Sequence, residues 1–87
     1  MILQNNTVLV VGANGRIGSV ISKRLLEEGA NVIAADITLQ NLKNNEFGVY
    51  KDQFLKIEMD ITNKESIEKA FEFALSKFGK IDSAINT

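Results

Sequence analysis

The chain has no cysteine and no histidine. Those two absences exclude a disulfide framework, a thiolate nucleophile, an imidazole general base and the usual zinc ligand sets. Charge of neither sign is in excess, since 10 Lys and Arg stand against 11 Asp and Glu for a formal net charge of -1. So balanced a chain offers no basic field for nucleic acid and no polybasic patch for a membrane surface. No apolar run approaches the length of a bilayer span, and the N-terminus lacks the charged region and continuous apolar segment of a signal peptide, so a cytoplasmic location is expected. No acidic cluster suggests a carboxylate-only magnesium site. Repeats, low-complexity tracts and linkers are also missing. At 87 residues the expectation is one small domain, whose core is marginal without help from a partner.

What is present is concentrated near the start. The apolar run Thr7 to Val11 breaks into Gly12-Ala13-Asn14-Gly15-Arg16-Ile17-Gly18, after which Ile17, Val20, Ile21 and Leu25 recur at helical spacing up to Gly29. Strand, glycine turn and helix in that order form a phosphate-binding device. Glycine lets the backbone turn sharply and approach a ligand, and the unpaired N–H groups and positive dipole end of the following helix favour a pyrophosphate. A second buried-looking strand, Asn31 to Ala35, ends in Asp36, about 20 residues after the turn. In this βαβ order the carboxylate accepts hydrogen bonds from an adenosine ribose, so the module reads as dinucleotide-binding. Because Asp36 would pair with a free 2′-hydroxyl and repel a 2′-phosphate, NAD is the expected cofactor. Arg16, whose guanidinium could hold a phosphate bidentately, keeps NADP open. No Gly-Lys-Ser/Thr follows the turn, as a P-loop would need.

Beyond Asp36 the pattern loosens. Ile37 to Gln53, carrying Asn41, Asn44, Asn45 and Gly48, reads as an irregular or one-turn crossover, with only Leu39 and Leu42 hinting at a helical turn. Phe54 to Met59 alternates Phe54, Lys56 and Glu58 against Leu55, Ile57 and Met59, a strand whose polar face suggests a sheet edge. Thr62 and Glu65 have the spacing of a capping box at the head of a long helix. Its stripe of Ile67, Ala70, Phe71, Ala74, Leu75 and Phe78 is expected to pack on a sheet, and Gly79 to end it. A fourth strand begins near Asp82 and runs through Ser83, Ala84 and Ile85 to Asn86 and Thr87.

These residues resemble the N-terminal part of a short-chain dehydrogenase/reductase, a family of nicotinamide-dependent oxidoreductases built on a Rossmann fold. The glycine turn, Asp36, Asp60-Ile61-Thr62 and Ile81-Asp82 with Ala84-Ile85-Asn86 resemble the family's elements, in the same order along nearly the whole chain. Two departures are visible. The middle glycine is one place early, with Arg16 where many members have glycine, a spacing commoner in the extended and atypical branches; and Asn86-Thr87 stands where members commonly read Asn-Asn. The resemblance implies an α/β fold, a Rossmann-like parallel sheet of the N-terminal half only, in the strand order 3-2-1-4, with the Gly15 to Glu28 and Thr62 to Phe78 helices on opposite faces.

The resemblance also implies roles. Gly12, Asn14, Arg16 and Ile17 would line the pyrophosphate turn, with Gly15 and Gly18 allowing close approach of backbone to ligand and of helix to sheet. Asp36 would accept the ribose hydroxyls, Asp60 the adenine amino group with the Ile61 backbone beside it, and Asn86 would sit by the ribose. Asp60 also has the placement of a helix-entry residue, and Asn86 that of a strand-end residue.

The family's chemistry uses a Ser, a Tyr and a Lys, with Tyr and Lys four apart. Here the only tyrosine is Tyr50, and Phe54 occupies the position four residues on. The expectation is therefore a partial NAD(P)-binding domain over residues 1–87, without a catalytic centre and inactive alone, whose small-molecule substrate belongs to a longer parent. The alternative is a non-catalytic half-Rossmann module that uses its sheet edge and apolar helix face for assembly. Self-association is expected on either reading. The Asn-Thr pair resembles a branch that includes bacterial enzymes of surface-sugar and flagellin modification.

Overall fold

The computed structural model describes residues 3–42 and 47–87. Along these, β1 (Thr7–Val11), α1 (Arg16–Glu27), β2 (Asn31–Asp36), a 3-10 turn (Gly48–Tyr50), β3 (Phe54–Glu58), α2 (Lys64–Phe78) and β4 (Ser83–Asn86) follow one another. The four strands form one sheet in the order β3-β2-β1-β4. All pairings are parallel, with Leu9 level with Ile33 and Ala84, and Ile33 level with Leu55. The chain thus has the Rossmann-like α/β fold that the resemblance implies, and β3 lies at a sheet edge as its polar face predicts.

Strands covered on both faces are apolar at successive positions rather than alternate ones, and Val32, Ile33, Ala34 and Ala35 are all fully buried. Side chains alternate across the sheet and so sort into two cores. Val8, Val10, Val32 and Ala34 pack with Leu26 of α1, Leu42 and Phe47, while Leu9, Ile33, Ala35, Ile57 and Met59 pack with Ala70 and Ala74 of α2. The two helices therefore lie on opposite faces.

Three expectations are corrected in detail. First, α2 begins at Lys64 rather than Thr62, and no Thr62–Glu65 capping box forms: Asn63 is the N-cap and its side chain accepts from the Ser66 N–H. Asn is at least as good a cap as Thr, and the Thr62 hydroxyl is already committed to Asp60, to which it donates at 2.6 Å. Second, the α2 stripe is wider than its contact with the sheet. Ala70 and Ala74 are buried, but Phe71 and Leu75 remain 39% and 44% exposed. Small residues let the helix sit close to the strands, and the larger side chains flanking them project past the contact. Third, α1 starts at Arg16 with Gly15 as its N-cap. Its buried residues are Gly18, Ser22 and Leu26, while Ile17 and Val20 of the periodic set are exposed.

Of the Ile37 to Gln53 crossover, Asn44 and Asn45 lie outside the described residues. Leu42 is buried as the apolar hint suggests, and Phe47, not singled out by the periodicity, is buried in a stack on Phe54 with ring centroids 4.7 Å apart. Gly79 ends α2 with a φ of 79°. At the bottom of the sheet the Thr7 N–H donates to Asp82 Oδ2 at 2.7 Å and the Asp82 N–H donates to the Thr7 carbonyl at 2.8 Å. This reciprocal pair ties the start of β4 to β1. No helix among the described residues is long and apolar enough to cross a membrane.

Candidate functional site

The glycine turn lies where β1 leaves the sheet, between the ends of β2 and β4. The Gly12 and Ala13 N–H groups both donate to the Ala35 carbonyl, at 2.9 and 3.2 Å, which pins the turn to the top of β2. Gly12 holds a φ of +83°, a conformation rarely adopted by other residues, and a Cβ there would lie 2.6 Å from Thr87 Oγ1 and 2.9 Å from the Thr87 carbonyl oxygen. Gly18, on the first turn of α1, faces the same turn from the other side: a Cβ on it would overlap the Gly12 carbonyl oxygen and the Ala13 Cα. Gly18 thus sets the separation of the turn and helix, and Gly12 the close approach of Thr87 past β4.

In front of this turn is an open cavity of about 350 Å3 lined by Gly12, Gly15, Arg16, Ile17, Gly18 and Thr87. The N-terminus of α1 opens beside it. That end has no side-chain cap hydrogen bond and no acidic residue in its first turn, so its N–H groups and the positive dipole end are available to an anion. Such a cradle, with no Cβ at three of its positions and uncapped donors along one wall, fits a pyrophosphate-bearing cofactor.

Asp36, at the tip of β2, joins the site through its backbone neighbours. Its Oδ2 accepts from the Asn14 N–H at 3.0 Å and its Oδ1 from the Ile37 N–H at 2.7 Å. A carboxylate has roughly four acceptor sites. With one bond made to each oxygen, about one site per oxygen is left for another donor. The Asn14 side chain does not point into the cavity lining but reaches the loop after β2, where Nδ2 donates to Thr38 Oγ1 at 3.1 Å.

Asp60 and Ile61 lie on the turn that follows β3, next to Met59, whose N–H donates to the Asp36 carbonyl at 2.8 Å. Asp60 Oδ1 accepts from both the Thr62 hydroxyl and the Thr62 N–H, and these two bonds, the hydroxyl first, hold its carboxyl below the usual carboxylate range. The helix-entry placement is therefore real, and the Asp60 N–H also donates to Ser66 Oγ at 2.9 Å. Ile61 is exposed.

Asn86 ends β4 level with Val11. It is the next residue, Thr87, that lines the cavity, its hydroxyl lying 2.9 Å from the Val11 carbonyl and 3.2 Å from that of Gly12. Thr87 was not among the expected site residues. The signal for it was topological: a residue just past β4, in a strand next to β1, must arrive opposite the first glycine. Tyr50 sits at the end of the 3-10 turn, half-buried against the α1-side core. Among the described residues no cluster of His, Cys, Asp and Glu could hold a metal ion.

Comparison with known proteins gives a consistent family. The short chain dehydrogenase family model matches residues 6–87. The post-translational flagellin modification protein A of Campylobacter coli is 38% identical over 88 aligned residues, covering 98% of this chain and 34% of that protein. Among solved structures, a 3-ketoacyl-(acyl-carrier-protein) reductase from Brucella melitensis complexed with NADH superposes with a TM-score of 0.82 at 31% identity, covering 93% of this chain and 33% of that one. A short-chain dehydrogenase/reductase of the glucose/ribitol dehydrogenase type from the same organism gives a TM-score of 0.83 at 28% identity, over 97% of this chain and 36% of that one. The chain spans about a third of the length of these relatives.

Proposed function

This chain belongs to the short-chain dehydrogenase family, and on that premise we propose that it is the dinucleotide-binding part of a nicotinamide-dependent oxidoreductase, taking NAD in preference to NADP. The observation that carries the reading is the juxtaposition of the uncapped α1 N-terminus behind Gly12, Gly15 and Gly18 with the Asp36 carboxylate anchored to the same turn. In this reading the α1 N–H groups at Ile17 and Gly18 hold the pyrophosphate. Arg16 stands at the mouth of the cavity as a further cation, and Asn14 joins the turn to the ribose end. Asp36 accepts from the adenosine diol with the acceptor site left on each oxygen. Asp60 and the Ile61 backbone flank the adenine, and Asn86 with Thr87 closes the β4 side.

When bound, the nicotinamide supplies hydride exchange. The chain itself carries no Ser, Tyr and Lys constellation, so the hydride step and the small-molecule substrate belong to a longer parent, of which residues 1–87 form the cofactor-binding part. The likeness to a flagellin modification protein supports a parent acting in bacterial surface-sugar or flagellin modification, and use of a nicotinamide cofactor is the reason to place that parent in the cytoplasm.

Calorimetric titration of the chain with NAD and with NADP tests the proposal. Tighter binding of NAD supports it; NADP binding as tightly or more tightly overturns the preference, and binding of neither overturns the function. A second reading, a module for assembly with itself or another subunit, is favoured by the exposed Phe71, Phe73 and Leu75 of α2. On that reading the chain binds neither nucleotide, and light scattering reports an oligomer.

A further inference from the structure

The carboxylate of Asp36 is held by two donors, the Asn14 N–H on the glycine turn and the N–H of the next residue, Ile37. The Gly12 and Ala13 bonds to Ala35 fix the base of the turn. Three further bonds, all centred on Asn14, tie its tip to the loop after β2. Its Nδ2 donates to Thr38 Oγ1 at 3.1 Å, its Oδ1 accepts from the Asn41 N–H at 2.7 Å, and its main-chain carbonyl accepts from Asn41 Nδ2 at 3.3 Å. The orientation of the Asn14 amide is fixed by chemistry, because the Asn41 main-chain nitrogen can only donate and must therefore face the oxygen.

We propose that Asn14, Thr38 and Asn41 form a polar clasp that fixes the plane of the Asp36 carboxylate, and that Thr38 and Asn41 are thereby positioning residues for the choice between NAD and NADP. The proposal rests on the dinucleotide reading of this site. With the clasp closed, each carboxylate oxygen keeps one bond to the main chain and turns its other acceptor site outward, a geometry suited to two adjacent hydroxyls and repulsive to a phosphate. With the clasp open, the tip of the turn can carry the Asn14 N–H away from Asp36, and the carboxylate, left with the Ile37 N–H alone, is free to rotate. A rotating carboxylate gives up the bidentate contact to a diol and, by turning aside, also loses its repulsion of a 2′-phosphate. The clasp should therefore act on the ratio of the two affinities and not on both alike.

The test uses the Thr38→Val and Asn41→Ala substitutions, singly and together, which remove two of the three bonds and leave the Asn41 main-chain N–H on Asn14 Oδ1 to hold the clasp alone, with Thr38→Ser as the conservative control that retains the hydroxyl. In the chain without nucleotide, hydrogen exchange at the Asn14 amide should be roughly tenfold faster in the double variant, smaller increases should appear in each single variant, and Thr38→Ser should match the parent. The amides of Leu9 and Ile33, deep in β1 and β2, should keep their protection and so report that the fold holds. In titrations, NAD should weaken roughly tenfold in the double variant while NADP stays unchanged or tightens. Unchanged exchange at Asn14 in every variant overturns the clasp, and equal weakening of NAD and NADP overturns its part in specificity. Should the unsubstituted chain bind neither nucleotide, the functional reading fails and the Asn14 exchange rates alone decide whether the clasp holds Asp36. Should the double variant unfold, Thr38→Val against Thr38→Ser decides in the same way.

Discussion

Where β1 and β2 run side by side, Val32 to Ala35 are sealed completely, whereas β4, on the other flank of β1, has Ser83, Ala84 and Asn86 exposed and only Ile85 half-buried. The same contrast holds for the helices. Leu26 of α1 is buried against one face of the sheet, while α2 touches the opposite face through Ala70 and Ala74 and leaves Phe73 58% exposed. The residue types differ in part, for β4 carries the polar Ser83 and Asn86 where β2 is apolar from Val32 to Ala35, but Ala84 is exposed on β4 while Ala34 and Ala35 are buried on β2. What differs is how many neighbours lie on them, for β2 has a strand on each side and a layer on each face. Burial thus depends on the arrangement as well as on the residue, and the glycine turn with Asp36 lies between the two, anchored to the sealed strand β2 and facing Thr87 past the open strand β4.

The comparison breaks most easily at Gly18. A Val there would drive its Cβ into the Gly12 carbonyl and the Ala13 Cα, backbone atoms that can yield only by moving the turn. Overpacking of this kind costs about 3 kcal/mol, so Gly18→Val should lower the urea midpoint sharply or leave the chain unfolded. Asp36→Ala, on the same side, acts on ligand rather than fold. Loss of a charge-assisted hydrogen bond is worth ~1.5–3 kcal/mol, and calorimetry should show NAD weakened roughly tenfold to a hundredfold.

On the open side the expected effects shrink. Asn63→Ala should destabilise the chain by about 1 kcal/mol, because the helix cap is Asn63 and not Thr62. Phe73→Ser, by contrast, should change the unfolding free energy by no more than about 1 kcal/mol, since Phe73 is 58% exposed; a loss of several kcal/mol would mean that α2 packs through Phe73.

The smallest effect is a pH dependence at Asp82. The Thr7 N–H and then Lys80 hold its carboxyl below the ordinary aspartate value. The folded pKa is thus depressed, so the stabilisation is fully present above that value and fades as pH falls through the folded pKa. Asp82→Asn keeps an acceptor for Thr7 but removes the charge. Urea midpoints compared between about pH 5 and about pH 3 should therefore fall less steeply in Asp82→Asn than in the parent.

Much of this was legible in the sequence because it is local. Thr7–Val11, the three glycines and Asp36 announce a strand, a turn and an acid at fixed spacing, and β3's alternation announces an edge. The cap at Asn63 was hidden because Thr62 satisfied the same local rule, and only the Asp60 carboxylate competing for the Thr62 hydroxyl decided between them. Exposure of Phe71 and Leu75 was hidden for a different reason: periodicity gives a face, but not the width of what covers it. Thr87 and the Asn14 to Asn41 bonds were out of reach of any local pattern, since they join residues 75 and 27 positions apart.

On the proposed reading, a dinucleotide lies across the glycine turn with its adenosine ribose on Asp36. Titration of the isotopically labelled chain with NAD, followed at the backbone amides up to ~1 mM, tests it most directly. Saturable shifts are expected at Gly15, Arg16, Ile17 and Gly18 and at Ile37, with the Ile37 shift lost in Asp36→Ala. Absence of shifts at those amides, or shifts centred instead on Phe71 to Leu75 of α2, would contradict it.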